Sequence, residues 1–564
     1  MATIVGTERP NTLRGTPQAD VIVAKGGNDL ILGAGGNDVI CAGSGNDRVQ
    51  PGAGNDTILG GTGNDVAVAS LGNDRLNGEK GLDVLGGGAG TDVISGQPGD
   101  DLLLGGTGAD TCTAGIGDDI GSSCENTVGD LFGPDGRVLV ADDDQGTIQN
   151  PIGLAVDGDG AVVVAGGQYI GVGAWTMVAV ARLAPDGTPD SSFSTDGIAA
   201  FPGLAGSTSA HAEAAVLDGD GRLLVGGTAT IERSDHFLLA RLLVDGTLDP
   251  TFGEGGVVTS PFPGTHPNGF DYGEGLVDLL LLDGGRVLAV GSQVAHGDIV
   301  PALALYDEDG VLDPTFGDGG LALVTDLLSA DAGDVDEHMP FAAALDAEGR
   351  ILLGGSTVQG TNANHLHGTV LRLLDDGQLD ATFGGGDGEA LLEDADGFTR
   401  TEGRGLTVQP DGGILLTGST YAAPASGPAD AFVSRVDDDG VDDDAFGDDG
   451  VVRFDINDGA NSADYGADVA VDPDGKVLVA GVGGPGGSEW VVRRFTPSGE
   501  SDETFGLDGS SVAVSNPIFD VLYPPRLALQ DDGRFFLAGY SAAGNVGGNG
   551  MLVVRHAPDG SIVA

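Results

Sequence analysis

An aspartate recurs at every ninth residue from Asp20 to Asp119, through Asp29, Asp38, Asp47, Asp56, Asp65, Asp74, Asp83, Asp92, Asp101 and Asp110, twelve acids without one slip. Glycine stands two residues before the acid in eleven of the twelve units, with Gln18 the exception. Two residues after it comes an apolar side chain in most units: Ile22, Ile31, Ile40, Val49, Ile58, Leu76, Leu85, Ile94 and Leu103. Ala67, Cys112 and Gly121 weaken that position. A helix does not tolerate this glycine content, which costs about 1 kcal/mol per residue relative to alanine. The alternative is a right-handed coil in which each unit is one short strand and one tight turn. Glycine and asparagine take the positive-φ turn conformations, the apolar residue points inward, and two units complete one coil. Acids eighteen residues apart then stack at the inter-strand spacing of about 4.8 Å.

Stacking creates an electrostatic demand. Two carboxylates that close repel by about 1 kcal/mol in water and several times more at a half-buried turn, and each of the two ladders holds six. One aliphatic side chain per unit offsets little of this. A divalent cation between successive turns reverses the sign, and calcium accepts the carboxylate and carbonyl oxygens that such turns offer. The twelve aspartates are therefore the candidate metal ligands, and calcium is the candidate ion. Over about residues 15–122 the pattern resembles the repeats-in-toxin (RTX) nonapeptide, Gly-Gly-x-Gly-x-Asp-x-apolar-x. That resemblance implies a parallel β-roll in which these aspartates, with turn carbonyls, hold calcium. Gln18, Leu82, Cys112 and Gly121 depart from the pattern, in the first turn, one interior turn and the final coils.

The remaining composition narrows the partners. A net charge of −62 argues against nucleic acid and anionic membranes, which need a positive footprint, and favours cations or basic proteins. A salt-rich habitat is a second source of such acidity, and in that case calcium is incidental. No apolar run reaches the 18–20 residues, roughly, of a membrane span. The 103 glycines lack the period of collagen. Cys112 and Cys124 are spaced to close a small loop at the end of the array or to stand as two buried thiols. The opening MATIVGTERPNTLRG has no secretory apolar stretch. Export is then expected to rely on a signal elsewhere or another route, the alternative being retention inside the cell.

A longer period follows. Phenylalanine recurs at Phe132, Phe193, Phe252, Phe316, Phe383, Phe446 and Phe505, spaced 59 to 67 apart and followed by glycine except at Phe193. Acidic Asp-Gly turns precede apolar strands, as in PDGKVLVAG from Pro473. Third strands end in arginine before a second turn, as in ARLLVDG, with ALYDEDG lacking the arginine. Four short strands per period make a β-propeller blade. The lone segment Leu131 to Val140 is placed to complete the last blade and close a seven-bladed ring, with eight blades or an open solenoid as alternatives. Segments such as LDPTFGEGGVV from Leu248 resemble the bacterial delta-60 repeat over about residues 130–564. The resemblance implies a propeller of surface or secreted proteins and carries over no catalytic residue.

The expected architecture is all-β, with a calcium-binding β-roll over 1–127 and a closed propeller over 128–564. Polar residues leading into the inner strands, His211, Glu213, Glu274, His338, Glu402, Arg404, Asp464, Asp468 and Arg526, are expected near the channel mouth. His365 and His367 lie two apart without an identifiable third ligand. His236, His367, Asp430 and Glu489 align, five residues before the arginine position. The Asp-x-Asp-Gly runs are read as turns, because calcium-loop spacing is missing. No catalytic constellation is recognisable. The sequence therefore points to a non-enzymatic extracellular or surface protein whose propeller engages a protein or glycan. A hydrolase or lyase acting on a polymer from the propeller mouth is the alternative.

Overall fold

The computed structural model describes residues 4–97, 101–107, 110–113, 120–122, 137–140 and 148–563, apart from 170–174, 186, 195–196, 203–206, 232–233, 262–274, 296–297, 326–336, 359–365, 393–397, 423–428, 455–463, 484–488, 508, 516–518, 522–524 and 544–548. Among these the only helical turn is a 3-10 turn at Asp283–Gly285, and no helix is long and apolar enough to cross a membrane.

The nine-residue units alternate between two seven-stranded parallel sheets. One sheet takes Val21–Val23, Val39–Ser44, Thr57–Thr62 and the strands that follow at the same interval. The other takes Leu30–Leu32, Arg48–Gln50, Val66–Val68 and their successors. Partners are eighteen residues apart throughout, as in Ile22↔Ile40↔Ile58 and Ile31↔Val49. The apolar position of each unit forms the core from Ile22 to Cys112, and Ala67 (0 % exposed) and Cys112 (1 %) keep its register despite their size or polarity. Gly121 pairs with Leu103, so the last coil persists. A turn position four residues before the acid takes positive φ in most coils, Thr16 and Ser70 being exceptions. Gly61 does so at φ 118° with its neighbour's carbonyl where a Cβ would sit, whereas Lys25 and Ala34 adopt φ 81° and 84° with side chains attached. Cys112 is disulfide-bonded and Cys41 is a free thiol; Cys124 lies outside the described residues.

Antiparallel four-stranded groups follow, numbered here as blades one to seven by their inner strands: Ile148–Val156, Ser207–Leu217, Gly275–Leu281, Glu337–Leu345, Phe398–Val408, Tyr465–Val471 and Arg526–Leu529. Blades four and five share one parallel pairing, Leu366↔Arg400. Arg137–Val140 pairs with Asn549–His556 as the outer strand of blade seven; residues 131–136, including Phe132, lie outside the described residues. Blade seven meets blade one through Gln530 Nε2 to the Asp157 carbonyl (3.4 Å) and Arg555 Nη1 to the Pro185 carbonyl (2.5 Å), so the ring is closed.

The three sequence landmarks form one inter-blade staple. In blade six, Arg494 pairs with Asp502 (2.9 Å), lies over the Phe505 ring (4.5 Å to its centroid) and donates to the Pro558 carbonyl in the next blade's turn (2.5 Å). Gly506 N–H donates to the adjoining carbonyl of Asp559. Arg241 with Asp249 and Phe252, and Arg372 with Asp380 and Phe383, repeat the unit and reach the carbonyls of Glu308 and Asp438. Burial tends to raise the Asp380 carboxyl, but hydrogen bonds from Thr382 and the Arg372 charge outweigh it and hold it low. Blade three has Leu305 in place of arginine, and the next residue, Tyr306, bonds its hydroxyl to Ser260 of blade two. Arg372 is 1 % exposed. Truncating it strands Asp380 and the Asp438 carbonyl, so Arg372→Ala is expected to cost about 3–5 kcal/mol in denaturant unfolding of the propeller. Arg222→Ala, at a half-exposed turn pair, is expected to cost less than about 1 kcal/mol.

Candidate metal centre and channel mouth

Eleven of the twelve repeat aspartates fall among the described residues, and all eleven are buried, Asp20 being the most accessible at 6 %. Asp119 lies outside them. The acid sits two residues before the inward apolar residue, on the same face of the strand, which carries it to the edge of the core. Each carboxylate is tied to the neighbouring coil. Oδ1 of Asp38 accepts the Asp20 N–H (2.7 Å), Oδ1 of Asp56 accepts that of Asp38 (2.7 Å), and the ladder continues to Asp110, which accepts from Asp92 (2.7 Å). Asparagines one residue earlier run a parallel ladder in the opposite sense. Asn46 N–H donates to Asn28 Oδ1 (3.0 Å), and Leu82 N–H donates to Asn64 Oδ1 (3.1 Å). The departure at Leu82 is tolerated because that position supplies only its backbone donor there.

The second carboxylate oxygen has no such partner. In Asp29, Asp38, Asp47, Asp56, Asp65, Asp74, Asp83 and Asp92, Oδ2 is buried and accepts no hydrogen bond. Turn glycines press against it: a Cβ on Gly33 would stand 2.4 Å from Asp38 Oδ2, and one on Gly87 would stand 2.4 Å from Asp92 Oδ2. Burial pushes these carboxyls up against the lowering effect of the backbone bonds, and the charges of neighbouring acids add to it at Asp38, Asp47, Asp56, Asp65 and Asp74. Asp65 rises to about 7 and Asp56, Asp74 and Asp83 to about 6. Repulsion along the ladder, the main penalty expected from the sequence, thus ranks behind desolvation. A buried, acceptor-only, all-oxygen donor set fits a hard cation such as calcium. The array is an ordered coil with these acceptors repeated coil upon coil, unlike a glycine-rich disordered tract.

Other candidates separate by position. Asp346, Glu348 and Asp438 converge at the surface, but Arg350 pairs with all three. Asp157 accepts the N–H groups of Asp159 and Ala161, so its Asp-Gly run is a turn, as read. His236, His367, Asp430 and Glu489 do share one register position, opposite Ala229, Thr357, Thr420 and Gly483. His365 and Glu274 lie outside the described residues. His338 and Asp464, expected at the channel mouth, are instead buried at 1 % exposure. His338 Nδ1 meets Thr357 Oγ1 (3.0 Å), whose hydroxyl in turn donates to Glu389 Oε1 (2.9 Å).

His211, Met339, Glu402 and Tyr465 occupy one level of the inner strands, opposite Thr228, Ser356, Ser419 and Val482. His211 Nε2 lies 3.0 Å from Glu213 Oε1. Burial works against the His211 cation, yet the Glu213 bond prevails and raises its pKa. A deeper level holds Gly153, Ala214, Asp278, Ala342, Gly405, Asp468 and Arg526, opposite equivalent second-strand residues. Burial raises the Asp278 and Asp468 carboxyls while the Arg526 charge opposes it, so groups from blades three, six and seven face one axis. Asp278 was not singled out from the sequence. It ties blade three to four by accepting the Ala343 N–H (2.8 Å), as Asp468 ties six to seven through Leu527 (2.9 Å).

The raised carboxyls fix a pH dependence. Their folded pKa values of about 6 to 7 exceed the ordinary 3.8, so protonation favours the fold, and that contribution is complete below about pH 4 and lost as pH rises through 6 to 7. In chelator, β-signal from the roll is expected at pH 4–5 and its loss by about pH 7.5, with calcium abolishing the dependence. Asp65→Asn, which keeps an Oδ1 acceptor and removes a charge, is expected to raise the thermal midpoint of the metal-free roll at pH 7.5 and to weaken the calcium effect. Circular dichroism with and without chelator reads both.

Comparison with known proteins agrees with this division. Residues 3–49, 51–85 and 86–120 match the RTX calcium-binding nonapeptide repeat, and residues 158–193, 219–252, 347–383 and 473–505 match the domain of unknown function DUF5122, a β-propeller. No curated protein matches the chain in sequence. Among solved structures, a protein of unknown function from Dyadobacter fermentans is 11 % identical (74 % of this chain, 97 % of that one, TM-score 0.39). An ulvan lyase bound to a saccharide is 11 % identical (73 % and 94 %, TM-score 0.41), and the Trypanosoma rangeli sialidase is 10 % identical (74 % and 56 %, TM-score 0.35). The chain thus carries RTX calcium-binding nonapeptide repeats followed by the β-propeller repeats of DUF5122.

Proposed function

We propose that this is an extracellular or surface protein whose roll folds on meeting calcium and whose propeller serves as a binding scaffold rather than an enzyme. The observation that carries the reading is the row of eight buried Oδ2 atoms without hydrogen-bond donors. Asp20, Asp29, Asp38, Asp47, Asp56, Asp65, Asp74, Asp83, Asp92, Asp101, Asp110 and Asp119 would hold the ions with carbonyls of the glycine turns. Calcium would supply the counter-charge that lets these carboxylates stay ionised inside the fold. Millimolar calcium outside the cell and its scarcity inside would then time folding to export, since binding free energy to a site absent in the unfolded chain is folding free energy.

The propeller does not share this dependence, because its buried carboxylates at the staples are paired with arginine rather than stacked on one another. Both tryptophans, Trp175 and Trp490, belong to the propeller segment, so their fluorescence reports that part alone. Titrating the full chain from chelator into calcium is expected to add β-signal cooperatively in far-ultraviolet circular dichroism while tryptophan emission stays constant. Magnesium or molar sodium chloride is expected to do neither. A roll already formed in chelator at pH 7.5, or formed equally by sodium chloride, would overturn the proposal and favour adaptation to salt.

A further inference from the structure

Three consecutive inner strands bring guanidinium and aromatic groups together at one side of the channel mouth. Arg404 of blade five lies over the Phe341 ring of blade four, 4.9 Å from its centroid. Its charge also acts on Tyr465 of blade six, whose hydroxyl is raised chiefly by burial. Arg400 lies over Tyr421, 5.4 Å away. Both arginines pair with Glu402, at 2.5 Å and 3.4 Å, and Glu402 is 13 % exposed while Arg400 and Arg404 keep 41 % and 38 %. Two cations against one carboxylate leave one positive charge here, on a chain of net charge −62. Eight other arginines of the propeller are committed elsewhere: Arg241, Arg372, Arg435, Arg494 and Arg555 to neighbouring blades, Arg222 and Arg534 to their own turns, and Arg350 to its own turn and to Asp438.

We propose that this patch binds an acidic saccharide, its carboxylate on the Arg400 and Arg404 forks and its ring against Phe341, Tyr421 and Tyr465. The proposal rests on the reading of the propeller as a binding scaffold and names its ligand class. Guanidinium groups match carboxylate geometry with paired donors. Phe341, Tyr421 and Tyr465 are each partly exposed, so they offer apolar faces beside those donors. Glu402 holds both forks in place and leaves them a surplus of one charge. That surplus suits one ligand carboxylate and falls far short of the basic stripe a nucleic acid needs. Across the ring, at the level of Glu402, the His211–Glu213 pair of blade two offers partners for sugar hydroxyls.

The test is calorimetric titration of the calcium-loaded full chain with an oligogalacturonate hexamer and with the same hexamer fully methyl-esterified, at one fixed calcium concentration. The acidic hexamer is expected to bind, with the ester at least about tenfold weaker. Arg404→Ala and Arg400→Ala are each expected to weaken the acidic hexamer about tenfold with unchanged circular dichroism, and Arg404→Lys to recover part of the loss. Arg222→Ala, whose partner is Asp218 in its own turn, is expected to change nothing. Equal binding of the ester, no binding of either hexamer, or unaltered affinity in both alanine variants overturns the site. A phosphotyrosine peptide captured in place of the hexamer also overturns it, while leaving the scaffold reading in force. Loss of calcium-dependent folding with hexamer binding retained would remove the calcium reading and leave this one.

Discussion

A carboxylate that is half satisfied governs the N-terminal roll of this molecule. From Asp38 to Asp110, Oδ1 of the repeat aspartate accepts the N–H of the aspartate one coil before it, so the acid is part of the coil-to-coil bonding and not an appendage to it. Oδ2 is buried without a donor in the eight from Asp29 to Asp92. Removing the side chain loses the first interaction, and keeping it ionised incurs the desolvation of the second. The core is too thin to absorb this, since one Ile, Leu or Val per unit contributes about 1.5–3 kcal/mol. A proton or a cation at those oxygens offsets that cost. On the proposed reading, calcium dependence is then a property of the scaffold itself, spread over its coils.

The propeller solves the opposite problem. Its blades are apolar sandwiches that would pack without ions, and its polar groups serve to fix blade to blade. The arginine–aspartate–phenylalanine unit does this by satisfying a buried guanidinium on three sides: carboxylate, ring and the next blade's carbonyl. Two seams depart from it among the described residues. Arg182 of blade one turns to Asp157 in its own blade (2.8 Å), and blade three carries Leu305 at the arginine position, with the adjacent Tyr306 bonded backward to blade two. The backbone bonds Ser194 N–H to the Asp245 carbonyl and Gly317 N–H to the Asp376 carbonyl still cross these seams. Main-chain bonds thus cross every seam from blades one and two to blades six and seven, and the ring gains rigidity where arginine is added.

Sequence periodicity made the roll readable almost residue by residue, because a parallel coil maps an eighteen-residue interval directly onto contact. Ile22 against Ile40 and Asp20 against Asp38 follow from counting. The division of each carboxylate into one bonded and one bare oxygen did not follow, since it depends on how far the turn presses inward. In the propeller the landmarks were visible but their purpose was not. Arg494 reaches Pro558, sixty-four residues away, and no local pattern announces a contact at that range. His338 and Asp464 were assigned to the mouth because they precede inner strands, yet the strand pleat turns them into the blade packing. Asp278 went unnoticed because Ala and Gly hold its position in four other blades.

That last failure shows where information resides in the two halves. In the roll, repetition is the chemistry, because every ion needs oxygens from like units and any unit is interchangeable with the next. In the propeller, repetition is only architecture. The deep channel level is small where inner strands nearly touch: a Cβ on Gly153 would meet Ala214 at 2.8 Å, and one on Gly405 would meet Asp468 at 2.7 Å. Charge enters that level only at Asp278, Asp468 and Arg526, and among the described residues it enters the mouth at Glu213, Arg400, Glu402 and Arg404. A ring of near-identical blades cannot orient an asymmetric ligand by its consensus residues. Whatever selects one ligand must lie in the positions where the blades disagree, and among the described residues those positions cluster at the axis.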